Sequence, residues 1–171
     1  MIRTLDGITP KIHPTAFVSE AAYIIGDVEI GEGSSIWPGA VIRADAGKIV
    51  VGNFTCIQDN SVVHGDADVH IGNNVVIAHR VICHAKTVND RVLIGNGATV
   101  NDGVNVGEDS LLASCTMVLE NTNIPPKSLV VGVPGKIRGD VQERHTNLIK
   151  YTCESYIALA KQYRSQPDLC D

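Results

Sequence analysis

The sequence predicts an all-β fold, a parallel β-helix of six-residue repeats followed by one C-terminal α-helix, on three observations. The first is composition: 171 residues hold 21 Val and 18 Ile against 9 Leu, with only seven aromatic residues. Helical bundles are built mainly on Leu and Ala, whereas β-branched side chains suit the pleat of an extended chain. The second is a period. Aliphatic residues recur every six positions over most of the chain, which neither an α-helix nor a flat antiparallel sheet does. The third is the 16 Gly, which supply the tight turns such a period needs.

The elements follow in order. Ile12, Val18, Ile24, Ile30, Ile36 and Ile42 stand six apart. A three-residue insertion precedes Val51, Ile57 and Val63, and a two-residue insertion precedes Ile71, Ile77 and Cys83. One residue is then lost before Val88, after which the step of six runs unbroken to Val130. Small residues keep the fifth place of each hexad, among them Ala22, Ser34, Ala40, Ala46, Ala67, Thr87 and Ala98, and Gly31, Gly52 and Gly72 take the second. A short strand with one bulky inward residue, then a corner with one small inward residue, reproduces this pattern. Three sides close a coil of 18 residues, and coils stack at about 4.8 Å, so six to seven of them make a prism about 30 Å tall. The repeats run from about 12 to 135 inside a β-helix spanning 1–139, ending at Val133-Pro134-Gly135. From 140 to 164 the spacing turns helical through Val141, Leu148, Thr152, Tyr156, Leu159, Ala160 and Tyr163, with Asp140 as N-cap. That helix is expected to lie along a prism face, and 165–171 reads as a polar tail.

Charge excludes several classes. The net charge is −5, with both signs scattered and no basic stripe for a phosphate backbone. No apolar run reaches the roughly 18 residues of a membrane span, and the start Met1-Ile2-Arg3-Thr4-Leu5-Asp6 has no signal-peptide character. Five cysteines without a CxxC pair suit a reducing cytoplasm better than a disulfide framework. The expectation is a cytoplasmic protein with neither nucleic-acid nor membrane partner.

Coil equivalence locates the chemistry. Val63 to Cys83 is 20 residues, one coil plus the insertion, so His64 and His84 share an outward column on adjacent coils, with Arg43 one coil below. Two imidazoles one strand spacing apart can hold one metal. His79 belongs to the preceding side, in the column of Asp59 and one place beyond that of Gln58, and diverges from His84 around a corner. A neighbouring chain could supply the third imidazole, and a closed three-fold ring satisfies every site at once. The spacing therefore predicts a homotrimer with three metals, each held by His64 and His84 of one chain and His79 of the next. Arg43, Asp45, Gln58 and Asp59 gather on the same two faces. An interfacial ion-pair network is the alternative role for Arg43, Asp45 and Asp59. Three imidazoles suit Zn, Fe, Co or Ni alike, and Cys83 faces inward as a core thiol.

At Arg43-Ala44-Asp45, Ile57-Gln58-Asp59-Asn60-Ser61-Val62-Val63-His64 and Ile77-Ala78-His79-Arg80-Val81-Ile82-Cys83-His84 the sequence resembles the gamma-class carbonic anhydrase family of hexapeptide-repeat proteins. The resemblance runs from Ile12 through the terminal helix. It implies a left-handed coil, a trimer, and zinc (Fe2+ or Co2+ as alternatives) on His64, His79 and His84. It implies a lyase activity too: reversible hydration of carbon dioxide to bicarbonate by a metal-bound hydroxide at a site between subunits. Gln58 would position the hydroxide, and Arg43, Asp45 and Asp59 would be its active-site polar residues. Departures are Cys56 for a usual Asn, Ala44 and Ala78 for glycines, and Ala46 where prototypes carry a proton-shuttling Glu; slow proton transfer follows as an expectation. Two enzymatic rivals share the fold, a metal-dependent acyl-CoA thioesterase and a hexapeptide acyltransferase. A catalytically inactive structural trimer is the third.

Overall fold

The computed structural model describes residues 1–166; the expected polar tail lies, from 167 on, outside the described residues. The chain winds as a parallel β-solenoid of about seven turns with one terminal helix. Its first face stacks Phe17–Val18, Ser35–Ile36, Cys56–Ile57, Val76–Ile77, Leu93–Ile94, Leu111–Leu112 and Ser128–Val131. The second face stacks Val62–His64, Ile82–Cys83, Thr99–Val100 and Met117–Val118 on the first halves of Tyr23–Ile30 and Val41–Val51. The third runs from Lys11–Ile12 through Val69–Ile71 and Thr87–Val88 to Asn123–Ile124. Pairing is parallel throughout these coils, with Ile42 beside Val63 and Val63 beside Cys83.

The hexad governs the interior. Ile24, Ile36, Ile42, Ile57, Ile71, Ile77, Ile94 and Leu112 are fully buried in one continuous core, each worth about 1.5–3 kcal/mol of transfer free energy. The small polar residues at the corners are buried too, and they are bonded. Ser34 Oγ donates to the Gly52 carbonyl (2.7 Å) and accepts from the Thr55 N–H (3.0 Å), and Thr55 and Ser61 repeat the arrangement one coil on. Among the described residues no buried side-chain nitrogen or oxygen lacks a partner, as a buried hydroxyl requires.

A regularity the hexad reading did not single out sits at its fourth position. Phe54, Asn60, Asn74, Arg80, Arg91, Asp109, Cys115, Asn121 and Lys127 all take φ of 55–60°, the left-handed conformation that turns each corner. The backbone offsets the strain with hydrogen bonds from coil to coil: Phe54 N–H donates to the Glu32 carbonyl at 2.7 Å, and Arg91 N–H to that of Asn73 at 2.9 Å.

The insertions correct the small-residue column. Ala46 and Ala67 are exposed and Thr87 half-buried, while Ile49 (1%), Val69 (3%) and Ala85 (0%) are buried. Val28 pairs with Ile49, and Ile49 with Val69, so the extra residues precede the inward corner position rather than follow it. They form two stacked bulges, closed by the Lys48 N–H donating to Asp68 Oδ1 at 2.9 Å. A Cβ on Gly47 would lie 2.4 Å from the Ala67 carbonyl carbon; only glycine fits there. The bulges lie immediately after Asp45 and His64 along the chain.

The terminal helix α1 (Glu143–Arg164) has Gln142 as its N-cap, whose backbone carbonyl accepts from the His145 N–H at 2.8 Å while His145 Nδ1 accepts from the Gln142 N–H at 3.1 Å. Asp140 is not the cap: Lys136–Asp140 pairs antiparallel with Ser128–Val131. The docked stripe is also rotated from the expected one. Ile149, Cys153 and Ala160 are buried, with Tyr156, Ile157 and Tyr163 beside them, whereas Leu148 and Leu159 are exposed. Helix α1 covers the first face, on the outward Cys56, Val76, Leu93 and Leu111. Farther along, Trp37 lies 5.2 Å from Tyr156, 5.1 Å from Tyr163 and 5.1 Å from Phe17, ring centre to ring centre.

Candidate metal centre

The second face presents the histidines. Parallel register sets Arg43 beside His64 and carries the chain from Val63 and Cys83 directly into His64 and His84. The His64 and His84 rings lie 4.7 Å apart, with His64 Nδ1 facing His84 Nε2 at 2.6 Å. The other nitrogen of each ring is taken by a carboxylate. His64 Nε2–H donates to Asp45 Oδ1 at 2.8 Å, and His84 Nδ1–H donates to Asp102. A carboxylate on one nitrogen fixes the proton there and leaves the other lone pair free. Two free lone pairs this close need a cation between them, either a proton or a metal ion.

Asp45 is bridged further by Arg43. The hydrogen bond from His64, then the charge of Arg43, holds its carboxyl below the usual carboxylate range. Asp66 also converges: one ligand atom each from His64, Asp66 and His84 lie within 4.8 Å of one another. The donor set, two imidazoles and a carboxylate, fits a divalent ion with borderline preferences. Tetrahedral ligands about 2.05 Å from zinc stand about 3.3 Å apart, so the two rings would open slightly to admit one.

His79 stands apart from that group. The left-handed corner at Arg80 (φ 57°) lies between it and the second face. Its Nδ1 lies 3.0 Å from Asp59 Oδ2, and its Nε2 lies 3.3 Å from the Tyr156 hydroxyl of α1, positioned to accept from it. Burial, with Cys56 and Asp59 nearby, pushes the Tyr156 phenol up to about 12, so it remains a donor at neutral pH. Gln58 is buried at 2% exposure, its amide Nε2 donating to Cys56 Sγ at 3.7 Å. Burial raises that thiol to about 12, which keeps it protonated. Cys83 is a core thiol, fully buried.

The structure thus brings His64, His84, Arg43 and Asp45 together, and separately His79 with Asp59. Sequence reasoning missed Asp66, Asp102 and Tyr156. Asp102 stands 18 residues beyond His84, but that coil is one residue short and pairs Cys83 with Val100, so column arithmetic sets Asn101 beside His84 and passes over Asp102. Asp66 lies in the bulge made by the two-residue insertion, which the following coil lacks. Tyr156 reaches His79 across 77 residues of sequence, and only packing brings them together.

The profile of the bacterial transferase hexapeptide (six repeats) family matches residues 9–44. A mitochondrial gamma carbonic anhydrase 2 of Arabidopsis thaliana is 37% identical over 175 residues, covering 96% of this chain, which spans only 63% of that relative's length. A protein of Methanocaldococcus jannaschii named "Probable carbonic anhydrase" is 39% identical over 150 residues, covering 86% of this chain and 94% of its own. Among solved structures, a hexapeptide transferase family protein from Anaplasma phagocytophilum superimposes with a TM-score of 0.91 at 37% identity, covering 95% of this chain and 97% of its own.

Proposed function

The chain belongs to the gamma carbonic anhydrase family of hexapeptide-repeat proteins, and on that premise we propose that it hydrates carbon dioxide reversibly at metal centres shared between the subunits of a homotrimer. One observation carries the reading: His64 and His84 each hold a carboxylate on one ring nitrogen and turn the other nitrogen toward one another. Metal-bound histidines are held in this way, and an ordinary solvated histidine has no need of it.

In this reading His64 and His84 of one protomer and His79 of its neighbour hold the ion, and the residues fit zinc, Fe2+ or Co2+. The ion would supply Lewis acidity, lowering the pKa of water to about 7, the established value for the zinc centre of carbonic anhydrase. Asp45, Asp59 and Asp102 fix the imidazole tautomers and aim the rings. Arg43 holds Asp45 in place. Gln58, buried beside Cys56, orients the reacting oxygen through its amide if its side chain turns toward the neighbour's histidines on assembly. Ala46 offers no acid to carry protons away, so turnover at low buffer is slow.

Assembly is supported by what stands outward on the second face. Val41, Val62 and Met117 are half-buried, and Ile82 is 50% exposed, with no helix over them. A reducing compartment, the cytoplasm in our reading, is supported by the four described cysteines, all free. An acyl-transfer reading draws on the transferase family name of the Anaplasma relative, and a thioesterase would use the same centre.

Stopped-flow hydration of carbon dioxide at high buffer, on protein loaded anaerobically with Zn2+, Fe2+ or Co2+, tests the proposal. The metal-loaded protein is expected to accelerate hydration and His84→Ala to fall to background. A fully loaded trimer without hydration, but with hydrolysis of acyl-CoA thioesters, would move the assignment to the thioesterase.

A further inference from the structure

We infer that one protomer binds a divalent metal ion by itself, through His64, His84 and Asp66, before any second subunit contributes His79. The inference rests on the same histidine pair as the proposed function and adds a ligand which that reading does not use. Asp66 lies two residues beyond His64, in the bulge that the two-residue insertion creates, and its carboxylate shares the 4.8 Å group with both imidazoles. His79 does not belong to that group; its free nitrogen is engaged by Tyr156 of the same chain.

The chemistry of the set is that of two imidazoles and one carboxylate on one side of an ion, an arrangement that suits Fe2+ and leaves the remaining positions open. Both imidazoles are already anchored from behind, by Asp45 and Asp102, so little ordering is required for an ion to bind. Asp45, Asp66, Asp68 and Asp102 outnumber Arg43 and Lys86 here, which favours a cation. A depression of about 210 Å³ lined by Asp66, Asp68, His84, Lys86 and Asp102 keeps the carboxylate in water, from which an ion can enter. Asp66 therefore acts as the ligand for capture, and the neighbour's imidazole takes over or adds to it on assembly. The order of events is metal first, trimer second.

Co2+ titration of the full chain, followed by visible absorption, reads this directly without an activity assay. Five proteins suffice: the wild type, His84→Ala, His79→Ala, His79→Ala/Asp66→Ala, and His79→Gln in case the alanine variant folds poorly. The expected result is that removing His79 leaves one Co2+ bound per chain, and that removing Asp66 as well weakens it at least about tenfold, since even outer-shell losses cost about 10–100-fold. Loss of Co2+ from both His79 variants as complete as from His84→Ala overturns the inference and leaves the three-histidine reading standing. So does unchanged binding when Asp66 is removed from the His79→Ala background. A wild type that binds no Co2+ overturns both.

Discussion

The first and second faces of the prism share one inward ladder and differ in what stands outward. On the first, Cys56, Val76, Leu93 and Leu111 point away from the core and are buried, because α1 lies on them with Ile149, Cys153 and Tyr156. On the second, Val41, Val62, Ile82 and Met117 occupy the equivalent places, flanked by Arg43, His64 and His84, and no part of the described chain covers them. The inward residues build the prism; the outward residues decide what each face meets. One face meets the chain's own helix, and the other is left for a second copy in the proposed trimer.

The sharpest way to test that division is to remove an anchor from the covered face. Trp37→Ala deletes the ring on which Phe17, Tyr156 and Tyr163 pack and is expected to cost about 3–5 kcal/mol, read by chemical denaturation. A loss under 1 kcal/mol would mean that α1 docks without its aromatic cluster.

Ile82→Glu makes the opposite prediction on the second face. The side chain is half-exposed in the protomer, so protomer stability should move by no more than about 0.5 kcal/mol. Association should weaken by more than about 1 kcal/mol, visible as monomer in sedimentation. A trimer that survives this charge would place the subunit contact on another face.

Tyr156→Phe probes the edge where the two faces meet. It removes the hydrogen bond to His79 and keeps the ring on Trp37, for an expected loss of about 0.5–1.5 kcal/mol. Stability and metal affinity measured on the same sample separate the two roles: a change in affinity alone would make the phenol a positioning group for His79.

The smallest effect is expected far from the histidines. At the corner beside α1, Arg91 donates to Asp109 at 2.6 and 3.0 Å and to Glu108 at 2.7 Å, and it holds the Asp109 carboxyl below its ordinary value. The pair's contribution is then fully present above about pH 4 and lost as pH falls through the lowered folded pKa. Because the groups are partly solvated, Asp109→Asn should cost under about 1 kcal/mol at pH 7. That difference should vanish in thermal melts toward pH 2. A difference that persists in acid would mean that the asparagine disturbs packing rather than charge.

Much of this was legible in the sequence, and where reading failed the cause is identifiable. The period of six carried the core residues because inward alternation in a coil has no freedom of phase once Ile24 and Ile42 are buried. The same arithmetic aligned Arg43, His64 and His84. It misjudged Ala46, Ala67 and Thr87, because an inserted or a lost residue can be absorbed before or after a corner and the residue count is identical either way. It rotated the stripe of α1, since Leu148 and Ile149 are equally apolar and only the surface beneath chooses between them. Asp66 escaped because a bulge has no equivalent in the next coil.

The sequence by itself determined the number of coils, the inward ladder and the histidine column, since all three depend on local spacing that each hexad repeats. Tertiary structure decided which face the helix covers, which carboxylate anchors each imidazole, and that Tyr156 meets His79. Those contacts join residues from 18 to 77 positions apart, and their energy depends on shape and distance in space, which spacing along the chain does not encode.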